Sequence, residues 1–281
     1  MSNLFPRASY LQVHTLVIRG LDIEFSVARS LKPEQNTAEV TIYNLSRENR
    51  KQLQEVPGDV VVKLHAGYLG PDPTTPTVGG NDAPILDQVL PMIFLGKLRQ
   101  ISNVREGADW ITRISSGDGD GKDRPIAFSL GPGASLTDAI KRITGELQVG
   151  IGNAAQAILG TSESFAGGVV AFGPGDKELE RLLRSIGKEY SVQNGELQVL
   201  DKGRPVNTPA IEIRPLGSPE IGTKGEVKAR TFLTSQIYPG RQVRLVSESV
   251  SGYFRVETAT YSGQTAGHDW FVDFEGKPVH V

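Results

Sequence analysis

Short alternating strands fill the last fifth of this 281-residue chain, and no other feature constrains its fold as strongly. Polar and apolar residues alternate along Gly225–Arg230, Tyr238–Leu245, Gly252–Ala259 and His268–Phe274, and Pro239-Gly240 provides a turn. A period of two residues places one face of a strand in a core and the other in solvent or in an interface. We expect a β-rich domain here. The segment contains no catalytic set of residues, which favours a structural component over an enzyme.

The first part of the chain shows the same alternation. Leu21–Val27 and Ala38–Tyr43 alternate strictly, and Asp59–Tyr68 resumes the pattern after a short helical stretch. Met92–Val104 and Asp109–Ser115 continue it. Strands are therefore predicted at both ends of the chain, and the fold class predicted from the residues is α+β, mostly β.

Ile151–Leu159 is predicted as a short helical turn, and longer helices are predicted over three segments, Ser46–Gln54, Ser135–Leu147 and Asp176–Tyr190. Each of these three begins at a serine or an aspartate, which are residue types that cap the first turn. The last helix leads into a hairpin over Tyr190–Leu200, because Asn194-Gly195 is the preferred pair for a type I′ turn.

Two segments rich in glycine or proline interrupt these elements. Gly117–Asp123 reads GDGDGKD and predicts a hinge between domains. Gly70–Pro91 is rich in proline and predicts a long surface loop, a length that is usually functional. The loop contains an apolar cluster that is unusual for a plain linker, and we predict that it contacts a neighbouring subunit or partner protein. The cluster consists of Ile85, Leu86, Val89 and Leu90.

Composition excludes several classes of function. The chain has 30 basic and 32 acidic residues, whereas a general nucleic-acid binder carries a basic excess. It has no cysteine, which excludes disulfides and thiolate chemistry. The N-terminus lacks the apolar region of a signal peptide, and no apolar run approaches the ~20 residues of a membrane helix. We therefore expect a soluble protein made in the cytoplasm, with no membrane insertion.

No metal or cofactor site is predicted. Asp118 and Asp120 have the first two spacings of a calcium loop, but Lys122 replaces the third ligand and no glutamate follows at the required distance. A solvated turn is the favoured interpretation. The four histidines have no metal-ligand spacing to one another, and they are His14, His65, His268 and His280.

No catalytic residues are predicted either. Gly160–Ser164 lacks the final glycine of a nucleophile elbow. A pair of glycosidase carboxylates stays open, since any two of 32 acidic residues can meet in a fold. Several aromatic residues could form a carbohydrate platform, but their place in alternating strands favours a core or a subunit interface. These residues are Trp110, Trp270, Phe254, Phe271 and Phe274.

Several segments, taken in order along the chain, resemble one known family. They are Leu31–Asn44 with Leu45-Ser46, Gly67-Tyr68 followed by Ile93–Gly96, Gly117–Gly119, Lys188–Leu200, Gly225–Arg244 with its Pro239-Gly240 turn, and Tyr253–Phe274 with its Asp269-Trp270 pair. In this order and spacing they resemble the tail hub proteins of bacteriophages, the late-control-D-like baseplate hub family. The Gly70–Pro91 loop is longer than the family pattern requires.

The resemblance implies two tube-like antiparallel β-barrel domains with a small α/β insertion. The corresponding boundaries are 1–116 for the first barrel, 117–130 with 206–281 for the second, and 131–205 for the insertion. It also implies a homotrimer, in which three copies of two barrels form a ring of six and adapt a six-fold tail tube to a three-fold spike.

The function expected from this resemblance is a structural hub in a phage virion, without enzymatic activity. Expected partners are the tail tube or distal tail protein, the central spike protein and the tape-measure protein, with DNA only in passage. The alternative is a virion-associated peptidoglycan hydrolase, although the helical region 131–190 is short for a lysozyme-like domain and poor in aromatic residues. A carbohydrate-binding β module is a third interpretation.

Overall fold

The computed structural model describes residues 7–32, 36–69, 90–119, 121, 123–158 and 164–279. Three stretches of the chain follow one another. The first contains β1 (Arg7–Val13), β2 (Leu16–Arg19), β3 (Ile23–Ser30), β4 (Asn36–Tyr43), α1 (Arg47–Gln54), β5 (Val61–Tyr68), β6 (Met92–Glu106) and β7 (Asp109–Asp118). The second contains β8 (Pro125–Leu130), β9 (Ala134–Ser135), α2 (Leu136–Leu147), α3 (Ala154–Ile158), β10 (Ser164–Phe165), β11 (Val169–Pro174), α4 (Gly175–Ser185), β12 (Lys188–Gln193) and β13 (Glu196–Asp201). The third contains β14 (Ile211–Ile213), β15 (Glu220–Ile221), β16 (Val227–Phe232), β17 (Gln242–Val246), β18 (Ser251–Gln264) and β19 (Trp270–Pro278).

The first and third stretches form one sheet of 13 strands. Its main path runs β15-β16-β19-β18-β3-β4-β7-β6-β5-β1-β2, and β17 pairs with both β18 and β14. All of these pairs are antiparallel except β14 with β17. The fold is therefore mostly β, as the alternation predicts.

The expectation of two closed barrels is not confirmed. Within the described residues, the path of the sheet ends at β2 and at β15, so it forms no closed barrel. The reason is β18, which pairs with β17 through residues 251–255 and with β3 through residues 258–264. Because β18 pairs with a strand of the first stretch and with a strand of the third, the two stretches form a single continuous sheet.

A single hydrophobic cluster lies under this sheet and draws on both ends of the chain. Ile23, Phe25 and Phe94 come from the first stretch, and Tyr261 and Trp270 from the third. Each buried side chain of this size stabilises the fold by about 1.5–3 kcal/mol relative to exposure. The core thus joins segments that are distant in sequence.

The second stretch has a hydrophobic cluster of its own, built from α2, α4, β11 and β13. Ser135 caps α2 as predicted, in a capping box with Asp138. Strand β8 pairs with β11, and its Ile126 packs in this cluster. The boundaries at 116, 130 and 205 stay a prediction.

Two details of this stretch differ from the sequence prediction, and one agrees with it. Helix α4 has Pro174 at its N-cap, and Asp176 lies in its first turn. The helix ends before Gly187, whose φ of +71° is left-handed, so Tyr190 lies in β12. Asn194 and Gly195 have φ of +55° and +77°, as the predicted type I′ turn requires.

A smaller cluster lies beside the start of β1 and contains Leu90, Leu69 and Tyr10. His65 stacks on Tyr10 with ring centroids 4.4 Å apart. The Nδ1–H of His65 donates to the Leu90 carbonyl over 3.0 Å. Burial lowers the pKa of His65, although the Leu90 carbonyl partly offsets this effect.

This lowered pKa predicts a loss of stability in mild acid. The folded state binds a proton at His65 less tightly than the unfolded state, so stability is complete above the ordinary pKa of about 6.5 and falls as the pH drops towards the folded pKa. Chemical unfolding at pH 7 and pH 5 should show that His65→Gln loses less stability on acidification than wild type. An equal loss in the two proteins would contradict this assignment.

Candidate functional site

One face of the main sheet carries mostly polar side chains across six neighbouring strands. Registered pairing places them in rows from β16 through β19, β18, β3 and β4 to β7. The opposite side of these strands carries the main core. We call the exposed side the polar face. Its residues are Lys228, Arg230, Phe232, Phe271, Asp273, Glu275, Thr258, Thr260, Ser262, Glu24, Ser26, Ala28, Thr37, Glu39, Thr41, Arg113, Ser115 and Gly117.

Three cations of the polar face are paired with carboxylates. Arg230 donates to both oxygens of Asp273, at 2.7 and 3.0 Å, and its guanidinium lies 3.8 Å from the centroid of the Phe271 ring. Lys228 lies 2.6 Å from Glu275, its partner across β16 and β19. Arg113 lies 3.0 Å from Glu106. Each pair is exposed, so it neutralises charge more than it stabilises the fold.

The middle of the polar face holds two exposed carboxylates. Glu39 accepts a hydrogen bond from the Ser115 hydroxyl at 2.7 Å, and Glu24 accepts one from Tyr43 at 3.3 Å. Neither forms an ion pair with a described residue. Burial, with Glu24 as a lesser cause, raises the pKa of Tyr43. The face thus offers hydroxyls and carboxylates, and its cations Lys228, Arg230 and Arg113 are engaged by carboxylates.

The sequence predicts a solvated turn at Asp118, and this prediction is wrong. Asp118 is buried at the end of β7. Its carboxylate accepts hydrogen bonds from the backbone N–H groups of Asn194 and Gly195 at 2.6 and 2.7 Å. Asn36 Nδ2 donates to it at 3.1 Å. Burial raises the pKa of Asp118, and these three donors partly offset this effect. The residue therefore anchors the β12–β13 turn to the main sheet.

A second buried pair supports this anchor. Arg29 Nε donates to Gln193 Oε1 at 3.1 Å, and Gln193 Nε2 donates to the Ser30 carbonyl at 2.8 Å. Asn36 also donates to the Val192 carbonyl at 2.8 Å. The hairpin is thus tied to both β3 and β4 by buried polar groups, which are costly to leave without partners.

Replacing Asp118 with asparagine should therefore destabilise the protein. The amide nitrogen of Asp118→Asn would face N–H donors, and a buried donor without an acceptor costs about 1–3 kcal/mol. Chemical unfolding at pH 7 measures this loss. Asp123→Asn, at an exposed position of the same GDGDGKD segment, is the matched control and should behave as wild type. Equal stability of the two variants would show that the anchor contributes nothing.

The described residues contain no group of three or more side chains that could hold a metal ion. Asp120, Lys122, His280 and residues 160–163 lie outside them. Among the same residues, no helix combines the length and apolar character of a membrane span.

The aromatic residues do not form a shared platform. Trp270, Phe254 and Phe274 are buried in the main core. Trp110 lies at the tip of the β6–β7 hairpin beneath the guanidinium of Arg50, 4.1 Å from its ring centroid. Phe271 lies on the polar face. The core interpretation therefore holds for three of the five.

Some large apolar side chains that the sequence prediction missed are strongly exposed. Phe172 and Val170 on β11 are 79% and 68% exposed, Ile221 on β15 is 59% exposed, and Phe232 of the polar face is 58% exposed. Alternation along Val169–Phe172 was the available signal. Of the predicted contact cluster, Ile85, Leu86 and Val89 lie outside the described residues, and Leu90 is buried within its own chain.

Comparison with solved structures shows which fold this is. A 43 kDa tail protein of prophage MuSo2 from Shewanella oneidensis superposes with a TM-score of 0.64 at 9% identity, covering 97% of this chain and 98% of that one. A tail protein from Neisseria meningitidis MC58 gives 0.63 at 10% identity, with 97% and 96% covered. An E. coli component of the type VI secretion system, described as similar to the T4 bacteriophage tail proteins gp27 and gp5, gives 0.60 at 11% identity, with 96% and 77% covered.

The chain therefore has the fold of phage tail proteins and of a related secretion-system component. No protein-family model matches it, and no curated protein matches it in sequence.

Proposed function

We propose that this protein is a structural hub of a phage tail, which assembles as a homotrimer and joins the tail tube to the central spike. The observation that carries the proposal is the polar face, which runs in register across both ends of a chain with a tail-protein fold. A surface of this extent lines a channel if copies of the chain close into a ring. The proposed location is the virion.

The electrostatics of the polar face suit the passage of DNA. A protein holds DNA mainly through lysine and arginine contacts to phosphates. Lys228, Arg230 and Arg113 are engaged by carboxylates, whereas Glu24 and Glu39 face outward. DNA would slide past such a surface with few contacts to hold it.

The exposed apolar residues support contacts with other tail proteins. Soluble monomers rarely expose contiguous apolar patches, and such patches mark interfaces. Phe172 and Val170, which alternate on the same face of β11, form such a place, and Phe232 and Ile221 are exposed separately. We propose that the tube or distal tail protein, the spike and the tape-measure protein use surfaces of this kind.

The alternative of a peptidoglycan hydrolase has less support. The carboxylates of the polar face are exposed to solvent, whereas the general acid of a lysozyme-like enzyme is held in an apolar cleft. Asp118 has a raised pKa, but its oxygens are occupied by the hairpin turn. We infer that the protein is not an enzyme.

Charge reversal tests the channel directly. Virions carrying Glu24→Lys with Glu39→Lys should assemble tails in normal number, because both side chains are exposed, but should eject DNA at least about tenfold more slowly, since new lysines bind phosphates. Electron microscopy counts the tails, and dye release times the ejection. Glu24→Gln with Glu39→Gln is the control and should eject as wild type. If the lysine variant ejects DNA at the wild-type rate, the polar face does not line the channel.

The Gly70–Pro91 segment gives a second test. We propose that Ile85, Leu86 and Val89 contact a neighbouring subunit or tail protein. Changing these three to serine should block tail assembly and leave the melting temperature of the free protein almost unchanged.

Leu90→Ser provides the contrast, because Leu90 is buried against Ala8 and Tyr10. It should lower the stability of the free protein by about 2–5 kcal/mol, as truncations of core leucines do. If the triple serine variant loses as much stability, the whole cluster belongs to the core of its own chain.

A further inference from the structure

A cleft of about 470 Å³ lies between the second stretch of the chain and the ends of β18 and β19. One wall comes from the end of α4 and from β12, and the other from β18, β19 and the two residues that follow β3. Its volume is within the range of about 300–1,000 Å³ that is common for ligand pockets.

The floor of the cleft is built around a buried arginine. Arg255 is only 5% exposed and pairs with Glu189 and with Glu257, whose Oε1 lies 2.6 Å from Nη2. It also donates to the Arg204 carbonyl at 3.2 Å. Half-buried Leu31 adds apolar surface beside it. The fixed ion pairs keep this floor rigid.

Cations outnumber carboxylates around the cleft. Its lining includes six cationic residues, which are Lys32, Arg184, Lys188, Lys202, Arg255 and Lys277, and three glutamates. The glutamates are engaged: Glu189 and Glu257 hold Arg255, Glu257 also lies 3.2 Å from Lys277, and Glu180 lies 3.4 Å from Arg184.

Two exposed lysines at this rim, Lys32 and Lys202, form no ion pair with the described residues, whereas Lys188 lies 2.7 Å from Asp201. The cleft is therefore locally positive in a chain whose net charge is −2. This excess of positive charge favours an anionic ligand, because complementary charges attract.

We propose that this cleft binds an acidic polypeptide segment of a partner protein, with carboxylates on Lys32 and Lys202 and an apolar side chain against Leu31. A peptide matches a short cleft that places two exposed lysines and one apolar side chain around its rim. DNA matches it less well, because DNA binding relies on an extended track of cations. The inference does not depend on the proposed hub role.

The test uses the full chain and a fluorescein-labelled peptide of sequence DLEDLEDL, measured by fluorescence anisotropy in low salt. The peptide should bind the wild-type protein, and KLKKLKKL should not. Lys32→Glu with Lys202→Glu should weaken binding at least about tenfold, since it replaces attraction by repulsion at two positions. Adding 0.3 M salt should weaken wild-type binding, because exposed charges are screened.

The control variant is Lys141→Glu with Lys224→Glu, which makes the same change in net charge at two exposed lysines outside the cleft. It should bind the peptide as wild type does. The proposal is overturned if DLEDLEDL does not bind, if both double variants bind equally, or if a 20-base-pair DNA duplex binds more tightly through the same two lysines.

Discussion

Pairing between β3 and β18 is the interaction on which the rest of this structure depends. Seven residue pairs, from Thr258 with Ser30 to Gln264 with Glu24, join the start of the chain to its end. Because of this pairing, the two ends share one hydrophobic core, and the polar side chains of β3 continue the rows of β18 and β19 without a break. The irregularity between Val256 and Thr258 separates the part of β18 that pairs with β17 from the part that pairs with β3. A single strand thus determines both the open sheet and the extent of its polar face.

The β12–β13 hairpin connects the second stretch of the chain to both sides of this junction. At its turn, Asp118 of β7 accepts hydrogen bonds from the backbone N–H groups of Asn194 and Gly195. At its base, Glu189 pairs with Arg255 of β18. Buried charges of this kind are favourable only when their hydrogen bonds are complete, because removing one partner leaves the other as an uncompensated buried charge. The same hairpin therefore fixes the orientation of the second stretch and shapes the positive cleft. These charges determine where the hairpin lies more than they stabilise the hairpin itself.

Local patterns in the sequence predict the elements well but not their partners. Alternation identifies the long strands, Ser46 and Ser135 identify two helix starts, and Asn194-Gly195 identifies the hairpin turn. A period of two shows which side chains share a face, but it carries no information on which strand lies alongside, so the β3–β18 pairing and the open sheet could not be predicted. Asp118 was assigned to a solvated turn because its GDGDGKD setting is polar, whereas its burial comes from a hairpin distant in sequence. The polar face was predicted only as the non-core side of individual strands, since its continuity depends on the pairing.

The β3–β18 pairing also has a consequence for biosynthesis. Strand β3 (Ile23–Ser30) is synthesised long before its partner β18 (Ser251–Gln264). During most of synthesis β3 therefore has an open hydrogen-bonding edge beside a half-formed core, and exposed strand edges and apolar surface of this kind promote aggregation. Long-range pairings are also slow to form, because the chain must close a large loop first. The nascent chain should thus depend on chaperone protection until β18 leaves the ribosome, and a chain truncated before β18 should be insoluble.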